Sequence, residues 1–127
     1  MRNTAGVNTR KLGADGEKKA VQYLLENEYE ILKTNYRVGR LGEIDIIARD
    51  AEYICFIEVK TRRSDICGSP GESVTTAKQR KIHQIAAIYL SNTGSTYKCV
   101  RFDVIEILLT KDTKSIIKSI NHIKNAF

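Results

Sequence analysis

Two runs of high strand propensity, Glu43–Arg49 and Tyr53–Thr61, stand only three residues apart, separated by Asp50, Ala51 and Glu52. So short a connection makes neighbours in sequence into neighbours in a sheet, as an antiparallel hairpin. That hairpin carries an anomaly. Ile44, Ile46, Ile57 and Val59 make its centre apolar, yet Glu43, Asp45, Glu58 and Lys60 sit inside the same strands. Strand side chains alternate between faces, so Glu43 and Asp45 share a face, as do Glu58 and Lys60. If the two faces coincide, three carboxylates and an ammonium meet on one patch. A half-exposed hairpin laced with cross-strand ion pairs would carry the same residues. Asp45 argues against that reading, because aspartate is disfavoured in strand interiors and this one stands between isoleucines.

The chemistry open to such a patch is specific. Crowded carboxylates repel one another unless a hard cation neutralises them, and Mg2+ or Mn2+ suits, since oxygen ligands and retained waters are what such ions take. A cation there polarises a phosphodiester and lowers the pKa of bound water. A neighbouring lysine orients that water or offsets charge developing on phosphate. Asp45 and Glu58 are the candidate metal ligands, Lys60 the candidate assistant to the water, and Glu43 a supporting acid.

The flanking segments supply the rest of an α/β fold. A helix is expected from Asp15 to about Glu28, with Gly13, Glu17, Ala20 and Leu24 on one stripe, which puts Glu17 at the edge of an apolar face. Glu30–Arg37 reads as a strand, followed by a turn over 38–42 with two glycines. A loop over 62–72 holds the chain's one proline, and Ser73 or Thr75 caps a second helix running to about Ser91. A turn at 92–96 leads to a strand, Val100–Leu109, whose apolar positions switch phase as in a strand buried on both faces or bulged. Residues 1–12 lack periodicity and read as a flexible arm. Ile116, Ile120, Ile123 and Phe127 keep helical spacing, so the 111–127 tail is expected to hold a short helix. The order helix, three strands, helix, strand, short helix predicts an α/β fold with a mixed central sheet.

At 127 residues, with 42% apolar and 28% charged, the chain suits a single domain spanning 1–127. It has no apolar run near the roughly 20 residues that span a bilayer, and its polar start leads into no signal-type segment. A cytoplasmic protein that engages no membrane is expected. Cys55, Cys67 and Cys99 form no CxxC pair and read as free, non-catalytic thiols. His83 and His122 lie beside apolar residues and read as structural or solvated. The net charge of +6 favours polyanionic partners, and the scattered tyrosines give no stacking platform. Thr61, Arg62 and Arg63 follow the second strand directly, where arginine suits bidentate contact with phosphate.

The pieces GEIDIIARD (Gly42–Asp50) and FIEVKTRR (Phe56–Arg63) resemble the core of the PD-(D/E)XK nuclease superfamily, and in particular its YraN-like branch of bacterial proteins, which is similar in fold to archaeal Holliday-junction resolvases. The likeness extends to GADGEKKAVQYL (Gly13–Leu24), Lys78, RFDV (Arg101–Val104) and NAF (Asn125–Phe127). It implies a restriction-endonuclease-like α-β-β-β-α-β core, with Asp45, Glu58 and Lys60 as the site and Glu17 reaching over from the first helix as a further catalytic and metal-holding acid. Ile44, not the proline of the superfamily's name, precedes Asp45. The function implied is a Mg2+- or Mn2+-dependent endonuclease acting on branched or otherwise structured DNA. Arg62, Arg63 and Lys78 would contact the nucleic acid, and a resolvase-like mode of action implies a homodimer. Two other readings stay open: a nucleic-acid-binding module in repair or recombination with little cleavage, and an interaction protein whose acidic patch holds no metal.

Overall fold

The computed structural model describes residues 5–63, 74–94, 99–110 and 116–127, with side chains from residue 13 onward. Cys67, Ser73 and positions 64–72 of the expected loop lie outside the described residues. The elements run α1 (Ala5–Glu26), β1 (Glu30–Val38), β2 (Gly42–Asp50), β3 (Tyr53–Arg63), α2 (Thr76–Thr93), β4 (Cys99–Leu109) and β5 (Ile117–Ile123). The five strands form one mixed sheet in the order β1-β2-β3-β4-β5. Only the β3–β4 pair is parallel, and α2 lies in the connection between those two strands. The expected α/β architecture is present, as α-β-β-β-α-β-β.

The sheet is buried on both faces. Ala20 and Leu24 of α1 pack on Ile46, Ala48, Cys55, Ile57, Ile105, Ile107 and Leu109. Ile82, Ile85 and Ala86 of α2 pack on the other face against Ile44, Ile47, Ile54, Phe56 and Val104. This accounts for the phase switch in β4. Its first half sends Phe102 and Val104 to the α2 side, and its second half sends Ile105, Ile107 and Leu109 to the α1 side. Thr75 is the cap of α2, its hydroxyl accepting from Lys78 N at 3.2 Å, while Gly94 closes the helix with φ +63°.

Two expectations at the ends are corrected. Helix α1 begins at Ala5, so residues 5–12 of the supposed arm are helical. Extending a helix that is already nucleated and docked takes little, and this stretch has no proline to stop it. The tail forms strand β5, not a helix. It pairs antiparallel with β4 from Val104↔Ile123 to Leu109↔Ile117, and isoleucine suits a strand at least as well as a helix.

A buried polar cluster fastens β5 and the chain end. Arg101 and Asp103 point to the α1 side at the start of β4, where Arg101 Nε donates to Asp103 Oδ1 at 3.0 Å. Arg101 also donates to the Tyr29 hydroxyl at 2.7 Å and to Asp50 at 3.1 Å. His122 Nε2 meets Asp103 Oδ2 at 2.8 Å, its Nδ1 lies 3.1 Å from the Tyr23 hydroxyl, and Asn125 N donates to Asp103 Oδ1 at 3.0 Å. Burial alone would raise the Asp103 carboxyl, but His122, Arg101 and the Asn125 amide together hold it below the ordinary carboxylate range. His122 is thus structural. His83 is exposed and stacks on Phe102 at 4.2 Å between ring centroids. Cys55 is a buried free thiol pushed up to about 12, with burial the leading cause, which leaves it inert. Among the described residues, no helix is long and apolar enough to cross a membrane.

Candidate metal centre

The site forms where two strands part. The β2–β3 ladder runs from Asp50↔Tyr53 to Ile46↔Ile57 and stops there. Beyond it, β2 continues against β1 as far as Val38↔Gly42, while β3 continues against β4 to Arg63↔Leu109. Divergence frees backbone groups on the inner edges, and a buried N–H needs a partner. Asp45 supplies one, its Oδ2 accepting from Val59 N at 2.8 Å.

Alternation breaks at the same place. Ile44 packs on the α2 side and Ile46 on the α1 side, although two residues apart. Across from them in β1, Asn35 has φ +49° between the pairs Thr34↔Ile46 and Tyr36↔Ile44. Local irregularity of this kind re-aims side chains. Here Asp45 meets α1, where Glu17 projects from the helix, and Glu43 joins them. Ligand oxygens of Glu17, Glu43 and Asp45 all lie within 4.8 Å of one another. The Asn35 amide bridges two of these acids, donating to Glu17 Oε1 at 2.9 Å and Glu43 Oε2 at 3.3 Å. Arg37 pairs with the other oxygen of Glu43 at 3.2 Å. A cavity of about 380 Å3 opens beside the group, lined by Glu17, Lys18, Asn35 and Asp45 among others.

Between Ala14 and Glu17 of the cavity wall, Gly16 sets how closely α1 approaches the sheet. A Cβ at Gly16 would stand 1.8 Å from Thr61 Oγ1, so no larger residue fits without moving the helix off β3. Glu17 follows directly in sequence, and the close approach brings its carboxylate to Asp45.

Glu58 belongs to the other side. Phe56 packs beneath α2, alternation puts Glu58 on that face, and its Oε1 lies 3.4 Å from Lys78 Nζ. The side chain is 6% exposed, and Oε2 has no hydrogen-bond partner among the described residues. Asp45 and Glu58 therefore enter the gap from opposite sides of the sheet, close enough for their charges to interact. Asp45 is pushed up to about 7, by burial first, then by the Glu58 charge, with Glu17 and Glu43 adding to it and the Val59 N–H opposing. Burial also raises Glu58, while Lys78, the Asp45 backbone N–H and Lys60 pull it down without cancelling the rise.

Residues 16–107 match the family described as Uncharacterised protein family UPF0102. The chain belongs to UPF0102. It is 51% identical over 121 residues to the UPF0102 protein of Acetivibrio thermocellus, covering 94% of this chain and 93% of that one. The UPF0102 protein of Chlorobaculum tepidum is 52% identical over 118 residues, 91% of each chain. That of Geotalea uraniireducens is 42% identical over 127 residues, 100% of this chain and 97% of its own.

The matched UPF0102 span takes in the whole acidic group and the residues around it. Of the acids singled out in the sequence, Glu17, Glu43 and Asp45 come together, with Glu43 a full member and not only a support. Glu58 stands outside that group, held by Lys78. Lys60 lies near enough to Glu58 to lower its pKa, and it lines a groove of about 320 Å3 with Arg62, Glu106 and Asn121. Arg63 ends β3, partly buried opposite Leu109. Sequence reasoning passed over Asn35 and Arg37, which neutralise and orient the acids. Asparagine is depleted in strands, so Asn35 within β1 was the available signal.

Proposed function

We propose that this UPF0102 chain is a divalent-cation-dependent endodeoxyribonuclease of PD-(D/E)XK type, with branched or otherwise structured DNA as its substrate. The observation that carries the reading is the carboxylate group at the parted strands: three acids within 4.8 Å, one of them pushed up to about 7. The donor set fits a hard ion. Every ligand is a carboxylate oxygen, and although burial leads in raising Asp45, the repulsion that adds to it is what a divalent cation relieves.

Glu17, Glu43 and Asp45 would hold Mg2+ or Mn2+, with Glu58 joining once freed from Lys78. When bound, the ion supplies a polarised phosphoryl group and a more acidic water. Val59 N–H fixes Asp45, and Asn35 fixes Glu17 and Glu43, so the ligands are aimed before substrate arrives. Lys60 orients the attacking water and offsets charge developing on the phosphate. Arg62 and Arg63 hold the strand next to the cut. The resolvase analogy adds a homodimer with two such sites, working in the cytoplasm.

A second reading has its own observation. Glu58 is paired with Lys78 and stands outside the three-acid group, as would suit a nucleic-acid-binding module with little cleavage. A panel of linear, single-stranded, flap and four-way DNA, incubated with Mg2+ or Mn2+, decides between them. Lys60→Ala should lower the cleavage rate about 10²-fold or more while keeping the cation. Asp45→Ala should lose cleavage and cation-induced stabilisation together. Wild-type protein that binds these DNAs and cuts none with either metal leaves only the binding module.

A further inference from the structure

A second feature adjoins the acidic group, on the side away from Arg62 and Arg63. The turn between β1 and β2 rests on α2, and between them runs a groove of about 220 Å3. Arg40 lines it from the turn, and Lys78 and Lys81 line it from the first turns of the helix. Lysines three apart lie on one helix face. Its floor is apolar, from Leu41, Ile82 and Ile85. Glu43 lines it too, but both carboxylate oxygens are already engaged, by Arg37 and by Asn35. Lys78 is paired with Glu58. Arg40 and Lys81 are exposed, and among the described residues neither has an ion-pair partner.

Electrostatics gives this arrangement a purpose. A polyanion cannot approach four carboxylates unless cations flank them closely, because unlike charges must outweigh the like ones at contact distance. Glu43 belongs to both the groove and the acidic group, so the two are one side chain apart. Cationic walls over an apolar floor match a nucleic-acid strand, whose phosphate takes the charge while its sugar lies on the aliphatic surface.

We infer that the groove between the β1–β2 turn and α2 seats a backbone phosphate of a nucleic-acid strand, held by Arg40 and Lys81, next along from the phosphate at the acidic group. This rests on the nuclease reading of the site and deepens it by adding a second phosphate position. Arg40 supplies the planar fork suited to phosphate, and Lys81 the point charge. Contacts of this type position a strand without reading its sequence.

The test is the salt dependence of binding to a phosphorothioate duplex and a four-way junction that resist cleavage, with Mg2+ present. Each phosphate contact removed should flatten the log–log salt slope by about one. The Arg40→Ala/Lys81→Ala double variant should bind about tenfold more weakly or worse, with a slope shallower by about one, on every sequence tried. Lys118→Ala/Lys124→Ala, on and just beyond the β5 edge, removes the same charge at the far side of the sheet and should leave the slope at its wild-type value. All three proteins should share one melting temperature, since these side chains are exposed. The inference fails if the groove variant keeps the wild-type slope, or if the β5 variant weakens binding as much. It also fails if polyglutamate displaces DNA from the wild type while the groove variant keeps full DNA affinity, which would assign the groove to an acidic protein. Wild-type protein that binds no DNA at low salt brings down the nuclease reading itself. Wild-type binding that is indifferent to Arg40 and Lys81 overturns the groove alone.

Discussion

Asp45 is at once satisfied and crowded. Its Oδ2 takes the Val59 N–H that the parted strands leave free, while burial and three acids push its carboxyl up to about 7. The sign of the resulting pH dependence follows. The unfolded chain gives up this proton near 3.8, and the folded chain keeps it to about 7, so between those values the fold binds more protons and loses stability as pH rises. Glu58 is shifted the same way. In chelator, Asp45→Asn should therefore be more stable than wild type at pH 8, and the gap should close toward pH 4. Manganese should raise the melting temperature of the wild type and leave the variant where it was. A variant that unfolds below wild type at pH 8 in chelator would refute the crowding account. Asp45 was legible in the sequence because an aspartate between isoleucines is out of place. The role of Asn35 was not, because it depends on a positive φ and on two acids from other elements, neither of which its neighbours in the chain reveal.

Spacing between elements is set as closely as charge. Gly16 lets α1 lie directly on Thr61 of β3, and the next residue is Glu17. Gly16→Ala should cost about 1–3 kcal/mol by overpacking. It should also shrink the manganese-induced rise in melting temperature, since Glu17 moves with the helix. A manganese-induced rise in melting temperature as large in the variant as in the wild type would mean that this contact does not gauge the site. The elements themselves were unequally readable. The β2–β3 hairpin announced itself through a three-residue connection, and α2 through Thr75 and its three-four apolar spacing. Its partner acid Glu58 was assigned to the correct strand, but alternation alone could not tell that Asp45 and Glu58 face opposite helices, because the break at Asp45 arises from the parting of β2 and β3. In the tail, Ile116, Ile120 and Ile123 fit a helix by spacing, whereas the bare edge of β4 and the anchor of His122 on Asp103 make a strand of it. Nothing local to residues 116–127 encodes that edge.

At the scale of the molecule the sheet is a partition. Glu17 and Asp45 lie toward α1, Glu58, Lys60 and Lys78 lie toward α2, and Glu43 borders both sides beside the gap between β2 and β3. Glu17 and Asp45 meet where α1 packs on the sheet, so their repulsion exists only once those layers are assembled. That has a kinetic consequence. A cation that relieves the repulsion acts on the finished structure and finds little to act on at the folding barrier, if the helix docks late. Stopped-flow traces across a denaturant series should then show manganese slowing unfolding, with the refolding limb unmoved. A refolding rate that climbs with manganese would instead place the contact between α1 and the sheet among the first formed, with the ion as a nucleating agent.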